Sequence, residues 1–380
     1  MARDLREIQN GREPYELEFK NAGELVAVLK ERGLLIDVDE DEAKYWIETV
    51  GYFHLKGYLS CLKEPIKRKG YRAGTKLSDA LQLLQWERNL RSVVLEQIGK
   101  VEIRLRSAIV ECIGTGFGTD YFLEHNYDVT RMRNSTASKQ SPRSTSEQLD
   151  WEWFVNWLDE EISKVFMRGD SEFVRGHLKK RKSQHLPLWI LVETMSLGDL
   201  IIIYQRLSPK NRTFVASKFA NTMTAGGQLK ENEFLWILEA IRTLRNLASH
   251  FNAFFDKRFP FPPLSEFRIK FRECPYFPSL SAARKNCSTY EVILMLLYLE
   301  PAVQRDSSFS TKVAEVLESF PNTIQGVSPR NYGGHKGWQH DTAWQGSVET
   351  TSEMQVGGRD YEKSKSTKGA HTRRRRRAKS

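Results

Sequence analysis

The chain has 380 residues, 40% of them hydrophobic and 28% charged, enough apolar mass for a core and enough charge for an ordinary water-facing surface. Its formal charge of +10 is lopsided: residues 321–380 hold 12 Lys+Arg against 5 Asp+Glu, which leaves 46 against 43 for the rest. The basic character belongs mainly to the C-terminal stretch and does not by itself make the body a nucleic-acid binder.

The four cysteines, Cys61, Cys112, Cys274 and Cys287, include no Cys-x-x-Cys pair, which argues against a cysteine zinc site and against a disulfide framework. The opening residues MARDLREIQNGREPYELEF are charged and lack the apolar centre of a secretory signal. The longest apolar run, VILMLLYL (292–299), falls far short of the ~20 residues that cross a bilayer. A soluble cytoplasmic protein is expected, with no membrane association and no metal or other cofactor.

Helical spacing dominates from the start. NAGELVAVLKERGLLI (21–36) places Leu25, Val28 and Leu29 on one side, and EDEAKYWIETVGYFHLKGYLSCLK (40–63) continues the pattern with a glycine interruption. EPIKRKGYRAGTKL (64–77), with a turn-former every few residues, is a loop. The most regular segment is 77–114, where Leu90, Val94, Ile98, Val101, Leu105, Ala108 and Cys112 trace one face. Ser78 is its expected N-cap and Gly114 its stop. At ~1.5 Å per residue this run would exceed about 50 Å, so a bend near Gly99 is expected.

The Ser/Thr-rich stretch 132–148 reads as a flexible loop, and 149–166 as a helix with Trp151, Trp153, Phe154 and Trp157 on a face suited to core or interface. In 186–207, Pro187 suits a first turn and Gly198 is expected to split the segment into two helices. A further helix begins near Glu231, and Pro260, Pro262 and Pro263 end whatever follows it. STYEVILMLLYLEPAVQ is apolar enough to be central. Beyond Pro321 the chain is rich in Gly, Ser, Thr and Gln, has no periodicity, and ends HTRRRRRAKS; it is expected to be disordered. These readings define an all-α bundle: an N-terminal helical segment (1–76), a main helical domain (77–320) and a basic tail (321–380).

One helix carries polar residues where packing would favour Leu or Ala: IRTLRNLASHFNAFFDKRF (241–259), with Arg245, Asn246 and His250. Five residues turn an ideal helix through roughly 500°, leaving Arg245 and His250 about 140° apart, whereas Asn246 and His250 share a stripe. Arg245 and His250 converge on one ligand only where a second wall closes over both, and a second copy of the same helix provides such a wall. If the ligand is RNA, attack by a 2′-hydroxyl needs a group to take its proton, another to protonate the leaving 5′-oxygen, and positive charge on the phosphorane. Histidine suits the proton transfers and arginine the phosphate oxygens, with Asn246 orienting His250 or binding phosphate. Spacing alone leaves plainer roles open. A histidine near a helix C-terminus complements the dipole, and Arg245 can pair with Glu239 through a neighbouring helix.

Glu102 and Arg106 form an i, i+4 pair on the long helix. They are either a structural salt bridge, worth about 0.3–0.5 kcal/mol if exposed, or a support that lines the cleft and holds Arg245. His54, His125, His177 and His185 have no ligand-like spacing, and the run 373–377 is an RNA-attracting cluster, a solvated tail or an unusual C-terminal extension.

Five segments stand in a familiar order: VGYFHLKGYLSCLK; LQWERNLRSVVLEQIGKVEIRLRSAI, which holds Arg91, Glu102 and Arg106; DSEFVRGHL; LPLWILVETMSLGDLIIIY; and LRNLASH. Together, over roughly 45–260, they resemble the Abi-like family, the AbiD/AbiF-type abortive infection proteins of bacteria, within the HEPN superfamily. The resemblance implies a HEPN-type helical bundle with additional N-terminal helices. It implies a metal-independent RNase acting as a homodimer that joins two Arg/His pairs, and a role in phage defence by RNA cleavage that halts growth. Carried over by position, Arg245 is the motif arginine, Asn246 its polar follower and His250 the motif histidine. Where the family commonly has Cys-Ala-His-His, this chain has Ala248, Ser249, His250 and Phe251; further on, Ala253, Asp256 and Lys257 replace an Arg and an Asn-Arg pair. Lys257 and Arg258 remain available to hold the RNA backbone. The alternatives are a non-catalytic HEPN scaffold for a regulatory RNA or protein partner, and a helical interaction protein without RNA. A non-coding RNA or antitoxin partner is compatible with the nuclease and with the scaffold.

Overall fold

The computed structural model describes residues 19–64, 70–114, 126–128, 151–168, 172–181, 186–220, 229–260, 286–341 and 344. The expected loop at 132–148, His125, His185, Cys274 and the arginine run at 373–377 lie outside them. The described residues are all-α apart from one two-residue antiparallel pair, β1 (Phe259–Pro260) with β2 (Asn286–Cys287). Two compact units divide the chain, 1–85 with 321–327 and 86–320 with 328–380, so the division falls inside the longest helix.

In the first unit, Asn21 accepts from the Glu24 amide at 3.0 Å while the Glu24 carboxylate accepts from the Asn21 amide at 2.7 Å, and this reciprocal cap starts α1 (Ala22–Glu31). The helix is shorter than 21–36 because Gly33, at φ 86°, turns the chain and sends Leu34 into the core. Asp39 caps α2 (Glu40–Val50) through a 2.7 Å bond from the Glu42 amide. Gly51, at φ 84°, then separates α2 from α3 (Tyr52–Leu59). Val26, Leu29, Ala43, Ile47, Leu55 and Tyr58 form the core of this unit.

Helix α4 (Leu77–Gly114) runs for 38 residues and continues through Gly99. Leu90, Val94, Ile98, Val101, Leu105 and Ala108 are at most 1% exposed, so this part of the stripe in the sequence is the buried face, while Cys112 at its end is only half-buried. Ser78 is not the N-cap. It lies inside the first turn, where its hydroxyl donates to Asp37 at 2.6 Å, and Asp79 takes the Lys76 amide at 2.8 Å.

The second unit holds α5 (Trp151–Arg168), α6 (Glu172–Arg181), α7 (Leu188–Leu191), α8 (Leu197–Arg206), α9 (Pro209–Ser217), α10 (Glu231–Ser249), α11 (Thr289–Val303) and α12 (Ser308–Glu318). On α5, Phe154 and Trp157 are buried, and Trp153 stacks on Trp157 at 6.0 Å between centroids. The break between α7 and α8 comes at Met195–Ser196, not at Gly198. Ser196 and Asp199 cap each other reciprocally, and that start signal outweighs a glycine tolerated in the first turn. α8 and α10 run antiparallel: a Cβ on Gly198 would lie 3.8 Å from the Arg242 side chain, Gln205 donates to Glu239 at 3.1 Å, and the Tyr204 hydroxyl donates to the Glu231 carbonyl at 2.9 Å.

Every residue of α11 from Thr289 to Glu300 is buried, which makes it the centre of this unit. Its two carboxylates in that stretch are caps: Glu291 pairs with Ser288 at the start of α11, and Glu300 accepts the Phe309 amide at 2.9 Å to start α12.

Residues 321–341 and Trp344, expected to belong to a disordered tail, are folded. In the second unit, Tyr332, Trp338 and Trp344 are at most 4% exposed, and Gly333, at φ 86°, sits where a Cβ would fall 2.1 Å from the Ser288 side chain. Trp86 packs on Phe320, Tyr332 and Phe255 and donates to the Val316 carbonyl at 2.7 Å. The Asp341 carboxylate accepts from the Tyr290 hydroxyl and pairs with His335 Nε2, each at 2.8 Å, and Trp344 Nε1 donates to the Tyr290 oxygen at 3.0 Å. The aromatic content of 329–344 supplies the burial that its polarity hides.

Burial of His335 opposes its protonation, but the Asp341 carboxylate and the Lys336 carbonyl outweigh it and raise its pKa above the ordinary 6.5. A histidine whose pKa is raised by folding stabilises the fold fully below about 6.5 and loses that contribution as pH rises through the shifted value. The melting temperature of the wild type is therefore expected to exceed that of His335→Gln by more at pH 5.5 than at pH 8.5. An equal gap at both values would show that the pair does not titrate on folding.

Candidate functional site

Helix α10 places the motif at its C-terminal end. Leu244 and Ala248 face inward, which leaves Arg245 and Asn246 half-buried and His250 exposed. Arg245 Nη1 donates to Asn246 Oδ1 at 3.4 Å. Glu239 is taken by Arg242 at 2.8 Å and by Gln205, so it does not pair with Arg245.

His250 is the C-cap of α10, and Phe251 follows it at φ 54°. The Phe251 amide donates to the Ala248 carbonyl at 3.1 Å and the Asn252 amide to the Leu247 carbonyl at 2.9 Å, the two bonds of a Schellman ending. Glycine normally occupies the left-handed position of that motif, and a phenylalanine there costs on the order of 1–2 kcal/mol.

A buried ion pair of α4 holds the strained end. Glu87 and Arg91 are 0% and 3% exposed, and their Oε1 and Nη2 atoms lie 2.6 Å apart. The second Glu87 oxygen accepts the Phe254 amide at 2.6 Å, and Arg91 Nη2 also donates to the Asn252 carbonyl at 3.2 Å. The Arg91 guanidinium carbon lies 5.2 Å from the ring centroids of both Phe251 and Phe254. From the other side, Thr289 donates to the Phe254 carbonyl at 3.1 Å, and the Asp256 amide donates to the Asn331 carbonyl at 2.6 Å. Residues 250–256 are thus fixed by α4, α11 and the C-terminal segment together. Sequence spacing pointed to neither Glu87 nor Asn331; the only signal was that Glu87 and Arg91, at i and i+4, flank Leu90 of the buried stripe.

Lys257 and Arg258 lie just beyond, both exposed, between the Asp256 turn and β1. Among the described residues, Arg245, His250, Lys257 and Arg258 form no ion pair, whereas Arg91, Arg106, Arg212 and Arg242 each face a carboxylate. Positive charge is left open at this helix end, with Asp256, bound through Asn331, as the nearest acid in sequence.

Glu102 and Arg106 pair with each other, and Arg106 Nη2 also donates to the Met195 carbonyl at 2.8 Å. They hold the turn that starts α8, whose first residues lie beside Arg242, one turn before the motif. Neither bonds to Arg245. Among the described residues, no group of three or more His, Cys, Asp or Glu is placed to hold a metal ion, and no helix is long and apolar enough to cross a membrane.

Fold and site together define an all-α protein whose Arg-Asn-x-x-x-His helix end is clamped from inside and positively charged outside. The chain belongs to the family of Abi-like proteins, which matches residues 45–256 and ties it to abortive infection, the bacterial defence against phage. The match includes Glu87, Arg91 and the motif, and stops before the C-terminal segment that braces it. No curated protein and no solved structure matches the chain.

Proposed function

We propose that this Abi-like protein is a metal-independent endoribonuclease of the HEPN type, working as a homodimer in the cytoplasm. The observation that carries the reading is that Arg245, His250, Lys257 and Arg258, at and just beyond a helix end held by a buried ion pair, form no ion pair among the described residues. In the reaction, the 2′-oxygen attacks phosphorus and the bond to the 5′-oxygen breaks. One imidazole, His250, takes the 2′-hydroxyl proton, and His250 of the partner subunit gives a proton to the departing 5′-oxygen. Arg245 neutralises the charge that builds on the phosphorane, Asn246 steadies the site, and Lys257 and Arg258 hold flanking phosphates. Glu102 and Arg106 act at a distance, through the turn that lies beside Arg242. A non-coding RNA or an antitoxin protein would restrain the activity between infections.

Purified wild type and His250→Ala, incubated with total cellular RNA and EDTA, test this directly. Cleavage is expected from the wild type alone, with loss of a general acid–base group lowering the rate about 10²–10⁴-fold. Intact RNA with both folded proteins, repeated in extracts of phage-infected cells, would remove the nuclease reading. One feature favours a second reading, a scaffold that binds RNA without cutting: Phe251 and Ala253 stand where the family commonly has a second His and an Arg. On that reading His250→Ala binds RNA as the wild type does and neither protein cuts.

A further inference from the structure

Phe251 combines three properties that packing alone does not account for. It holds a left-handed backbone, φ 54°, where glycine would be free of strain. The residue is 61% exposed, although it follows the motif histidine directly. One face of that ring is backed by the Arg91 guanidinium at 5.2 Å, and Arg91 is itself fixed by Glu87 and the Asn252 carbonyl. Strain maintained to keep a large aromatic side chain in water marks a functional position. Phe254, three residues on, shows the contrast: it touches the other side of Arg91 and is completely buried.

We propose that Phe251 is a stacking platform for one unpaired nucleobase of the RNA, and that it sets the requirement of the site for single-stranded substrate. The proposal deepens the ribonuclease reading and rests on it for the identity of the ligand. A rigid ring with one face on a buried cation presents the other face to a base, and aromatic stacking is how proteins engage splayed bases irrespective of sequence. The surroundings supply the rest of such a ligand's needs. Half-buried Arg245 and the exposed Lys257 and Arg258, close to Phe251 in sequence and without carboxylate partners among the described residues, are available for phosphates. A base inside a duplex has no free face, so a nucleotide held on Phe251 must come from a loop, bulge or single strand.

Fluorescent oligo(A), the same length of abasic ribose-phosphate and a fully paired duplex are the probes. Full-length wild type, Phe251→Gly, Phe251→Leu and Phe251→Trp are the proteins. Phe251→Gly relieves the left-handed strain and so retains or raises thermal stability, which keeps misfolding from imitating the result. Oligo(A) binding is expected to weaken roughly 5- to 150-fold in Phe251→Gly and Phe251→Leu, the range of one lost base–aromatic stack, and to persist in Phe251→Trp. Abasic and duplex probes should bind all four proteins alike and more weakly than oligo(A) binds wild type. Equal oligo(A) affinity across the four, or no preference of the wild type for oligo(A) over the abasic strand, overturns the platform. Cleavage separates the two readings. A wild type that cuts RNA while Phe251→Gly cuts and binds equally well keeps the nuclease and loses the platform. Phe251-dependent binding of oligo(A) by a protein that cuts nothing keeps the platform and loses the nuclease.

Discussion

Glu87→Ala is expected to lower the unfolding free energy by about 3–5 kcal/mol, because it leaves the Arg91 cation buried without its partner. Arg91 is only 3% exposed, and its Nε and Nη1 atoms already lack hydrogen-bond partners, so Glu87 is the group that makes this burial tolerable. The same substitution strips the acceptor from the Phe254 amide, a buried backbone donor. Arg91→Ala should cost a similar amount, since it takes from the buried Glu87 carboxylate the cation it pairs with. Replacing both residues by Leu and Met should recover much of the loss, as it does where buried pairs give way to apolar groups of similar volume. The double variant still lacks the bonds to Asn252 and Phe254, so its motif loop is expected to stay loose. Denaturant unfolding gives the energies, and hydrogen exchange at the Phe254 amide gives the loop. A Glu87→Ala protein within 1 kcal/mol of wild type would show that the pair does not form in solution. A double variant with full exchange protection at Phe254 would show that the pair does not anchor the loop.

The pair also marks where reading the sequence stops. The α4 stripe was legible because one face of a long helix packs, and burial then repeats with the helical period. Glu87 and Arg91, four apart on a helix, read like any solvated pair. What makes them internal are partners 167 and 161 residues away, a tertiary fact that no local pattern carries. Arg245, Asn246 and His250 stood out for the opposite reason: polar groups interrupted an apolar helix. Their setting did not, because a Schellman ending is usually announced by glycine, and here Phe251 takes the left-handed position. Gly198 misled in the same way, since Ser196 and Asp199, three apart, formed the stronger signal. The segment after 321 failed on composition. Its average polarity suggests disorder, yet Tyr332, Trp338 and Trp344 recur at six-residue steps and each is buried.

A chain ended after Val327 is therefore expected to lose cooperative unfolding of the second unit, while one ended after Trp344 melts as the full chain does. Truncating a buried aromatic to Ala costs about 3–5 kcal/mol, and removal of 328–344 takes away three of them. That approaches or exceeds the 5–15 kcal/mol by which domains are stable at all. The losses also reach the core of this unit: Trp86 gives up Tyr332, and the Tyr290 hydroxyl, buried in α11, gives up both Asp341 and Trp344. The motif loop loses the Asn331 carbonyl that holds the Asp256 amide, immediately before Lys257 and Arg258. Near-UV circular dichroism and thermal melts of the two shortened proteins test this. Identical melts would mean that the segment only rests on the surface. A shorter chain that still folds cooperatively but shows faster exchange at the Asp256 amide would mean that it braces the site without stabilising the unit. The family match ends at residue 256, so the bracing segment lies outside the matched region.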